Sequence, residues 1–254
     1  MATYDQGFYA TQADGSYRSA RVVLAHLREI LPFASAIDVG CGAGTWVKAL
    51  LELGAEDVLG IDGEYARSVL RIPHERFLAH DLRQPVNLDR RFDLALSLEV
   101  AEHLPAERAA GFVADLVCLA PAVLFSAAIP LQGGTNHVNE RWQHEWARLF
   151  ADHGYRPFDV IRPRVWTDER VEPWYRQNTL LFLTQGHPQT DRVAQAEREG
   201  PRPLSLVHPS VYPLGYNIDN IVLLAKMIFW SVARRTRRLR GRRKPMSARA
   251  NETR

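Results

Sequence analysis

Hydrophobic residues along the chain follow two spacings: short apolar runs, and stretches with an apolar residue at every third or fourth position. Short runs are typical of buried strands, and the longer spacing is typical of amphipathic helices. Strands are predicted at residues 36–39, 58–61, 77–79, 92–97, 123–128, 159–166 and 179–184. Their alternation with helical segments predicts an α/β fold with a Rossmann-like, mostly parallel, seven-stranded sheet flanked by helices.

Three of the intervening helices are marked by apolar faces. The first is predicted at residues 19–31, before Pro32. Another follows Pro105, and its face consists of Ala109, Phe112, Val113, Leu116 and Val117. Cys118 comes next and is predicted to be a core thiol. A third helix carries Trp142, Trp146 and Phe150 at intervals of four, a spacing typical of core packing.

Composition indicates an ordinary globular enzyme in a reducing compartment. The chain has 254 residues, of which 46% are hydrophobic and 24% charged, enough to bury a core without cross-links. Cys41 and Cys118 are the two cysteines, so no disulfide framework is expected. The first fifteen residues lack a basic segment leading into an apolar run, the pattern of a signal peptide. We therefore predict a cytoplasmic location.

Positive charge is concentrated near the C-terminus. The formal net charge is +3, but it becomes negative once a cluster of eight basic residues is set aside. These residues are Arg234, Arg235, Arg237, Arg238, Arg240, Arg242, Arg243 and Lys244. The acidic remainder does not favour nucleic-acid binding. We predict a catalytic domain over 1–185, a linker and surface strap over 186–217, and an apolar helix with a basic tail over 218–254.

The C-terminal segment admits two interpretations. Residues 221–233 are mostly apolar but too few to span a bilayer. A short apolar helix followed by basic residues can attach peripherally to an anionic membrane, here the inner face of the cell membrane. Alternatively, the helix docks on the enzyme's own surface and the arginines form a solvated tail.

A glycine-rich segment carries the clearest chemical signal. Asp38 comes just before Gly40, Gly42 and Gly44, between a predicted strand and a predicted helix. Glycines at such a turn let the backbone bring a ligand against N–H groups at a helix start. A dinucleotide fingerprint requires a third glycine at the position that Thr45 occupies. The loop therefore indicates a cofactor other than a dinucleotide.

These residues resemble the first motif of class I S-adenosylmethionine-dependent methyltransferases, an acid followed by G-x-G-x-G. Later motifs of that family are matched in order by Gly60-Ile61-Asp62, Ala79-His80-Asp81-Leu82, and Phe92 to Pro105. The resemblance covers residues 16–185, and the stretch 126–140 is similar to a bacterial subgroup of unassigned substrate.

The resemblance implies S-adenosylmethionine as cofactor and assigns its contacts. Gly40 and Gly42 would pack against the methionine part, and Cys41 and Gly44 of the same loop are also predicted to bind the cofactor. Asp62 would accept hydrogen bonds from both ribose hydroxyls, and Asp81 with the Leu82 amide would read the adenine. Asp38 would orient the amino-acid end, beside the main chain of Leu98.

Two histidines are candidates for a general base. His103 follows the fourth strand and His137 lies in the loop after the fifth, both at the sheet edge where α/β proteins bind ligands. Either could accept a proton near neutral pH, and Glu102 and Glu140 could orient them. A metal site at His137, Glu140 and His144 is not expected, because the order does not match H-E-x-x-H.

Three functions are compatible with these motifs. The preferred one is methylation of oxygen in a glycan or small hydroxylated metabolite, with oxygen favoured over nitrogen. A nucleic-acid methyltransferase is the alternative, but no Asn/Asp-Pro-Pro-Tyr type of motif follows the fourth strand. The third is a cofactor-binding scaffold without turnover. Residues 174–178 could line the acceptor pocket, although packing is the preferred role for them.

Overall fold

Seven strands form one sheet in the computed structural model, which describes residues 6–197 and 203–211. In chain order they are β1 Ser35–Val39, β2 Asp57–Asp62, β3 Phe77–Ala79, β4 Leu94–Leu98, β5 Ala122–Ser126, β6 Tyr155–Phe158 and β7 Leu180–Thr184. Their order in the sheet is β3-β2-β1-β4-β5-β7-β6. β7 is antiparallel to both β5 and β6, and the other pairs are parallel. The predicted fold class is confirmed.

Helices cover both faces of the sheet. They are α1 Gln6–Ile30, α2 Thr45–Glu52, α3 Ala109–Leu119, α4 Gln143–Ala151, α5 Arg162–Val165, α6 Pro173–Asn178 and α7 Thr190–Ala196. Short 3-10 turns occur at Glu64–Val69, His74–Arg76, Ala101–His103 and Ala106–Arg108. α1 contacts α2, α5 and α7 on one face, while α3 contacts α4 on the other.

The strands divide their side chains between two hydrophobic clusters. Ala36 belongs to the cluster under α1 and α2, and its neighbour Ile37 belongs to the cluster under α3 and α4. Leu124 and Phe125 are divided in the same way. This follows from the pleat, which turns successive side chains to opposite faces. Strands covered on both faces are mostly apolar, and β4 and β5 are buried throughout, with Ser97 and Ser126 as their polar residues.

The apolar face predicted after Pro105 is buried as expected, but Cys118 is exposed. Leu116 faces the core from one side of α3, and Cys118, two positions later, is turned about 200° around the helix from it. The prediction of a core thiol was therefore wrong. On α4, Trp146 and Phe150 are buried, and Phe150 stacks on Phe182 with ring centroids 3.9 Å apart.

The predicted strand at 159–166 is also wrong. The strand lies earlier, as β6, and α5 follows it with Pro163 in its first turn. Proline cannot donate a hydrogen bond to a sheet ladder, whereas it is well suited to a helix start. A buried ion pair fixes this turn, because Arg162 Nη2 lies 2.7 Å from Asp159 Oδ2.

Two segments after β7 contact the rest of the domain. α7 lies within the segment predicted as a linker, and its Val193 is fully buried. Residues 203–211 lie along the domain, where the His208 N–H donates to Gln177 Oε1 over 2.7 Å. The predicted apolar helix and basic tail at 218–254 lie outside the described residues. Among the described helices, none has both the length and the apolar character required to cross a bilayer.

Candidate active site

The glycine loop connects β1 to α2 through three backbone positions in the left-handed region. φ is 93° at Gly40, 52° at Gly42 and 79° at Gly44, a conformation that costs residues with a Cβ but not glycine. A Cβ at Gly40 would lie 2.3 Å from Val100 Cγ2, and one at Gly44 would lie 2.8 Å from Ile72 Cδ1. These two glycines therefore permit close packing by the protein itself.

Gly42 differs from the other two glycines, because its missing side chain would point into open space. A Cβ built there meets no atom of the described residues within 4 Å. The Gly42 N–H donates to Asp62 Oδ2 over 2.7 Å, which ties the loop to the end of β2. The loop therefore leaves room for a ligand at the start of α2, next to the Asp62 carboxylate.

The Cys41 thiol packs against β2 and the loop itself, where its Sγ lies 3.8 Å from Gly42 O. Its side chain is buried toward β2, where a Cβ at Gly60 would lie 2.8 Å from the sulfur. The Cys41 N–H donates to Ile61 O over 3.1 Å. Burial and the charges of Asp38 and Asp62 raise the pKa of the thiol, so it stays protonated and unreactive.

Two acids lie on the neighbouring strands β1 and β2. Asp38 and Asp62 are 2% and 5% exposed. Burial, and then the charge of Asp62, raises the pKa of Asp38 to about 8. Asp38 Oδ2 has no hydrogen-bond partner in the described part of the chain. A buried carboxyl oxygen without a donor is a site for a cationic group, such as the ammonium of an amino acid.

The Asp62 carboxylate accepts three hydrogen bonds. In addition to Gly42, the Gly63 N–H donates to Oδ1 over 2.7 Å and the Tyr65 hydroxyl donates to the same oxygen. Tyr65 is largely exposed. The Tyr65 hydroxyl thus donates to a carboxylate that, according to the family resemblance, accepts from the ribose hydroxyls.

The third predicted contact region follows β3. Asp81 is exposed and binds Arg83, with Arg83 Nη2 2.7 Å from Asp81 Oδ2. Hydrogen bonds from Arg83 lower the pKa of Asp81 to about 2. Leu82 is buried, and its carbonyl accepts from Arg108 Nε over 3.3 Å. Asp81 is thus ionised near the Asp62 end of the sheet, with Arg83 competing for its oxygens.

β4 ends in a polar network that the sequence analysis did not identify. Leu98 is buried beside Ser126, and the next residue, Glu99, has φ 57° although it is not glycine. Its carboxylate accepts from Gln132 Nε2 over 3.0 Å and from Asn178 Nδ2 over 3.1 Å. Gln177 Nε2 donates to Gln132 Oε1 over 3.0 Å. Backbone strain of this kind is concentrated at functional sites.

Burial raises the pKa of Glu99, and the hydrogen bonds from Asn178, Ser126 and Gln132 oppose that rise. The segment 174–178 therefore supplies Asn178 and Gln177 to the site, although packing was its preferred role. Arg176 lies elsewhere, since it donates to Trp166 O over 3.4 Å. Gln177 and Asn178 could have been identified from the sequence, because amide side chains in a short segment before a buried strand must find hydrogen-bond partners.

The two histidines predicted at the sheet edge are in contact. The ring centroids of His103 and His137 lie 4.9 Å apart, and the rings are nearly perpendicular. The N–H groups of Val138 and Asn139 donate to Glu102 O over 2.9 and 3.0 Å, which holds the loop after β5 against the turn after β4. Glu140 Oε1 lies 3.3 Å from His137 Nδ1, as expected for an orienting carboxylate.

The pKa values of His103 and Glu102 are shifted in opposite directions. Desolvation by the surrounding protein, and then the charge of His137, lowers the pKa of His103 to about 4, so its imidazole is neutral at pH 7. Burial and the charge of Glu99 raise the pKa of Glu102. His144 lies apart and contacts Ser205 Oγ at 2.8 Å. The set His137, Glu140 and His144 is therefore not assembled.

Comparison with known proteins identifies the family. A profile of the family described as "Methyltransferase domain" matches residues 9–158, more than half of the chain. No curated protein matches the sequence. The structure is similar to magnesium protoporphyrin IX methyltransferase from Synechocystis PCC 6803 with bound SAM, at 20% identity and a TM-score of 0.51, over 73% of this chain and 86% of that chain.

Two further solved structures share the fold. An amino pentose methyltransferase from Micromonospora echinaspora with bound SAM is 16% identical over 73% of this chain and 99% of that chain, with a TM-score of 0.53. DesVI from Streptomyces venezuelae is 15% identical over 72% of this chain and 100% of that chain, with a TM-score of 0.54.

The sheet order, the glycine loop and the paired acids define a class I S-adenosylmethionine-dependent methyltransferase, as predicted. The chain belongs to the methyltransferase-domain family. The predictions of the enzyme class and of S-adenosylmethionine as cofactor are confirmed at that level.

Proposed function

We propose that the protein methylates an oxygen atom of a small hydroxylated metabolite or a glycan. The main support is the set of side chains that follow Leu98 and β5, namely Glu99, His103 and His137. The reactive end of the cofactor is expected beside Leu98. Imidazoles, carboxylates and amides meet there, and such groups bind and activate hydroxyl acceptors. An amino pentose methyltransferase has the same fold, which supports a polar acceptor of similar character.

The proposed cofactor fits the residues at the ends of β1 and β2. Asp38 offers a buried carboxyl oxygen without a donor, and the space at Gly42 lies beside the Asp62 carboxylate. We propose that Asp38 orients the amino-acid end and that Asp62 binds the ribose. Gly40 would act indirectly, by admitting Val100 against the loop. Asp81 and the Leu82 amide remain the proposed adenine contacts, with Arg83 displaced from Asp81 on binding.

S-Adenosylmethionine supplies a methyl group on a positively charged sulfur; the carbon–sulfur bond breaks as the carbon–oxygen bond forms, and the bonding pair stays on sulfur. The chain must hold the acceptor oxygen in line with that bond, about 3 to 3.5 Å from the methyl group. It must also provide for departure of the hydroxyl proton. We propose that His103 and His137 form the acceptor-side centre that activates this hydroxyl.

The neighbouring network gives this centre its selectivity for polar acceptors. The Glu99 carboxylate is fixed by Gln132 and Asn178, so it is available to further donors without reorganising. Hydroxyl groups of the acceptor would donate to Glu99. An acceptor without hydroxyl groups would leave hydrogen-bonding positions of that half-buried carboxylate unfilled. This arrangement supports a metabolite or glycan more than an apolar substrate.

We also propose a cytoplasmic enzyme that attaches peripherally to the inner face of the membrane through residues 218–254. The support is the order of that segment, an apolar stretch followed by the basic cluster. The proposed division into a catalytic domain, a strap and a tail rests on the same composition.

Labelling of acceptors tests the proposal. Purified protein with radiolabelled S-adenosylmethionine is incubated with cell extract separated into lipid, glycan, nucleic-acid and small-molecule fractions. We expect label in the glycan or small-molecule fraction, and much less label with an Asp62→Asn control. Label confined to nucleic acid would contradict the proposed substrate class while leaving the enzyme class intact.

A further inference from the structure

Glu102, His103 and His137 place three metal-ligand groups in one small volume. One ligand atom from each residue lies within 4.8 Å of the others. The three come from two separate elements, and the hydrogen bonds from Val138 and Asn139 to Glu102 O hold those elements together. Ligand atoms about 2.0 to 2.2 Å from a common tetrahedral ion lie about 3.3 to 3.6 Å apart, so side-chain shifts of about 1 Å would bring the three groups to one ion.

We infer that Glu102, His103 and His137 form a binding site for a divalent first-row transition-metal ion. Two imidazole nitrogens and one carboxylate oxygen are a ligand set that Mn²⁺, Fe²⁺ and Zn²⁺ accept. No metal was expected from the sequence, where only His137, Glu140 and His144 were considered as ligands. Glu102 and His103 lie far from His137 along the chain. The fold brings them together.

The state of Glu102 is a second, independent observation. Its side chain is fully buried, and neither carboxylate oxygen has a partner of normal hydrogen-bond geometry among the described residues. The negative charge of the nearby Glu99 adds to the cost of keeping this carboxylate ionised. Burying a carboxylate without a partner costs several kcal/mol, so such a group is neutralised by a proton or by a cation. With two imidazoles beside the carboxylate, a metal ion satisfies all three groups at once, whereas a proton leaves the imidazole lone pairs unused.

Glu140 gives His137 the outer partner that metal-binding histidines usually have. Its Oε1 lies 3.3 Å from His137 Nδ1. A proton held on Nδ1 toward Glu140 leaves the lone pair on Nε2, and such a carboxylate partner fixes ring orientation and raises ligand basicity. Gly134 permits the ring to lie there, since a Cβ at that glycine would be 2.3 Å from His137 Nε2.

The inferred ion would explain how this centre activates an acceptor, and in that respect it rests on the proposed function. Three protein ligands leave coordination positions for oxygen atoms of the acceptor. Binding to a divalent ion lowers the pKa of a hydroxyl, so its proton passes to water and the oxygen becomes the nucleophile. The histidines would then serve as ligands and not as proton acceptors.

Binding of Mn²⁺ to the full chain, stripped with a chelator, tests the inference. The room-temperature electron paramagnetic resonance signal of free Mn²⁺ reports how much ion is bound, without cofactor or acceptor. We expect one site per chain in the unaltered protein. Glu102→Gln and His137→Gln should each weaken it at least about tenfold. His144→Gln, a histidine on α4 that contacts Ser205, should leave it unchanged. Mg²⁺ should compete poorly, because it prefers oxygen ligands.

Thermal unfolding with and without Mn²⁺ keeps the test informative if a variant folds poorly. Mn²⁺ should raise the unfolding temperature of the unaltered protein and of His144→Gln, but not of Glu102→Gln. No stoichiometric binding, or binding equal in all variants, would overturn the inference. Calorimetry of S-adenosylmethionine on the same samples separates the two proposals. Binding of the cofactor without binding of Mn²⁺ would contradict only the inferred metal site. Binding of Mn²⁺ without binding of the cofactor would contradict only the proposed function.

Discussion

The amide nitrogen of Gly42 lies 2.7 Å from Oδ2 of Asp62, so one carboxylate joins the glycine loop after β1 to the end of β2. The same carboxylate is proposed to bind the ribose of the cofactor. The shape of the loop and the affinity for the cofactor are therefore linked. Substitutions in the glycine loop and at Asp62 should separate effects on stability from effects on cofactor binding.

Substitution of loop glycines should distinguish binding from packing. Gly42→Ala adds a methyl group in open space at a left-handed position, so we expect a loss of about 1 kcal/mol in unfolding free energy and a large loss of cofactor affinity. Gly40→Ala meets Val100 and should lower stability more strongly. Urea denaturation and calorimetry of both variants check this. A Gly42→Ala protein with normal affinity would contradict the placement of the cofactor.

Asp38→Asn should stabilise the cofactor-free protein increasingly as pH rises. The folded-state pKa of Asp38 is about 8, above its unfolded value of about 3.9. Stability from the protonated form is therefore complete below pH 4 and declines as pH rises through 8. Asparagine does not ionise, so the variant escapes that decline. Urea denaturation should show a larger difference in unfolding free energy, variant minus unaltered protein, at pH 8 than at pH 5.

An equal difference at the two pH values would mean that Asp38 ionises normally in the folded protein. The same variant should bind S-adenosylmethionine more weakly, because the ammonium group of the cofactor would lose its carboxylate partner. Gain in stability combined with loss of affinity is expected where a residue is kept for function.

His137→Ala and His103→Ala should reduce methyl transfer while preserving cofactor binding. Loss of a group that activates the acceptor costs roughly 10² to 10⁴ in rate. Single-turnover transfer to the labelled acceptor fraction measures this, and calorimetry checks the cofactor. Full rates in both variants would show that neither histidine takes part in activation.

The C-terminal segment should bind anionic membranes in a salt-dependent way. Each basic side chain near an anionic surface contributes up to about 1 kcal/mol, and added salt screens that attraction. The full chain should sediment with anionic vesicles at low salt and not with neutral vesicles. A chain ending at Asn217 is the control and should stay in solution. Equal sedimentation of the two chains on anionic vesicles would leave the tail without a membrane role.

The cofactor end of the site was predictable from sequence because local order determines it. Asp38, the glycines and Asp62 lie at strand ends, and parallel strands bring their carboxyl ends to one edge. The acceptor end depends on long-range contacts. Glu99 meets Asn178, 79 positions later, and Glu102 meets the loop of His137 through backbone hydrogen bonds. Neither pairing follows from spacing or periodicity.

The errors in the predicted elements have local causes. An apolar run at 159–166 indicated a strand, but Pro163 and the ion pair of Asp159 with Arg162 favour a helical turn. Cys118 followed an apolar face in sequence, yet one residue along a helix turns the side chain by about 100°. The helix at 190–196 has few apolar residues, and burial of the single Val193 was not evident from composition.

Calorimetric titration of S-adenosylmethionine into three proteins tests the central claim most directly. Asp62→Asn removes the charge and one of the two oxygens that are proposed to accept from the ribose hydroxyls. We expect affinity to fall roughly tenfold to a hundredfold, since hydrogen bonds to a charged group contribute about 1.5 to 3 kcal/mol. Tyr65→Phe removes a donor from the same carboxylate, and it should bind the cofactor at least as tightly as the unaltered protein. Normal affinity in Asp62→Asn, or no binding by the unaltered protein, would contradict the account.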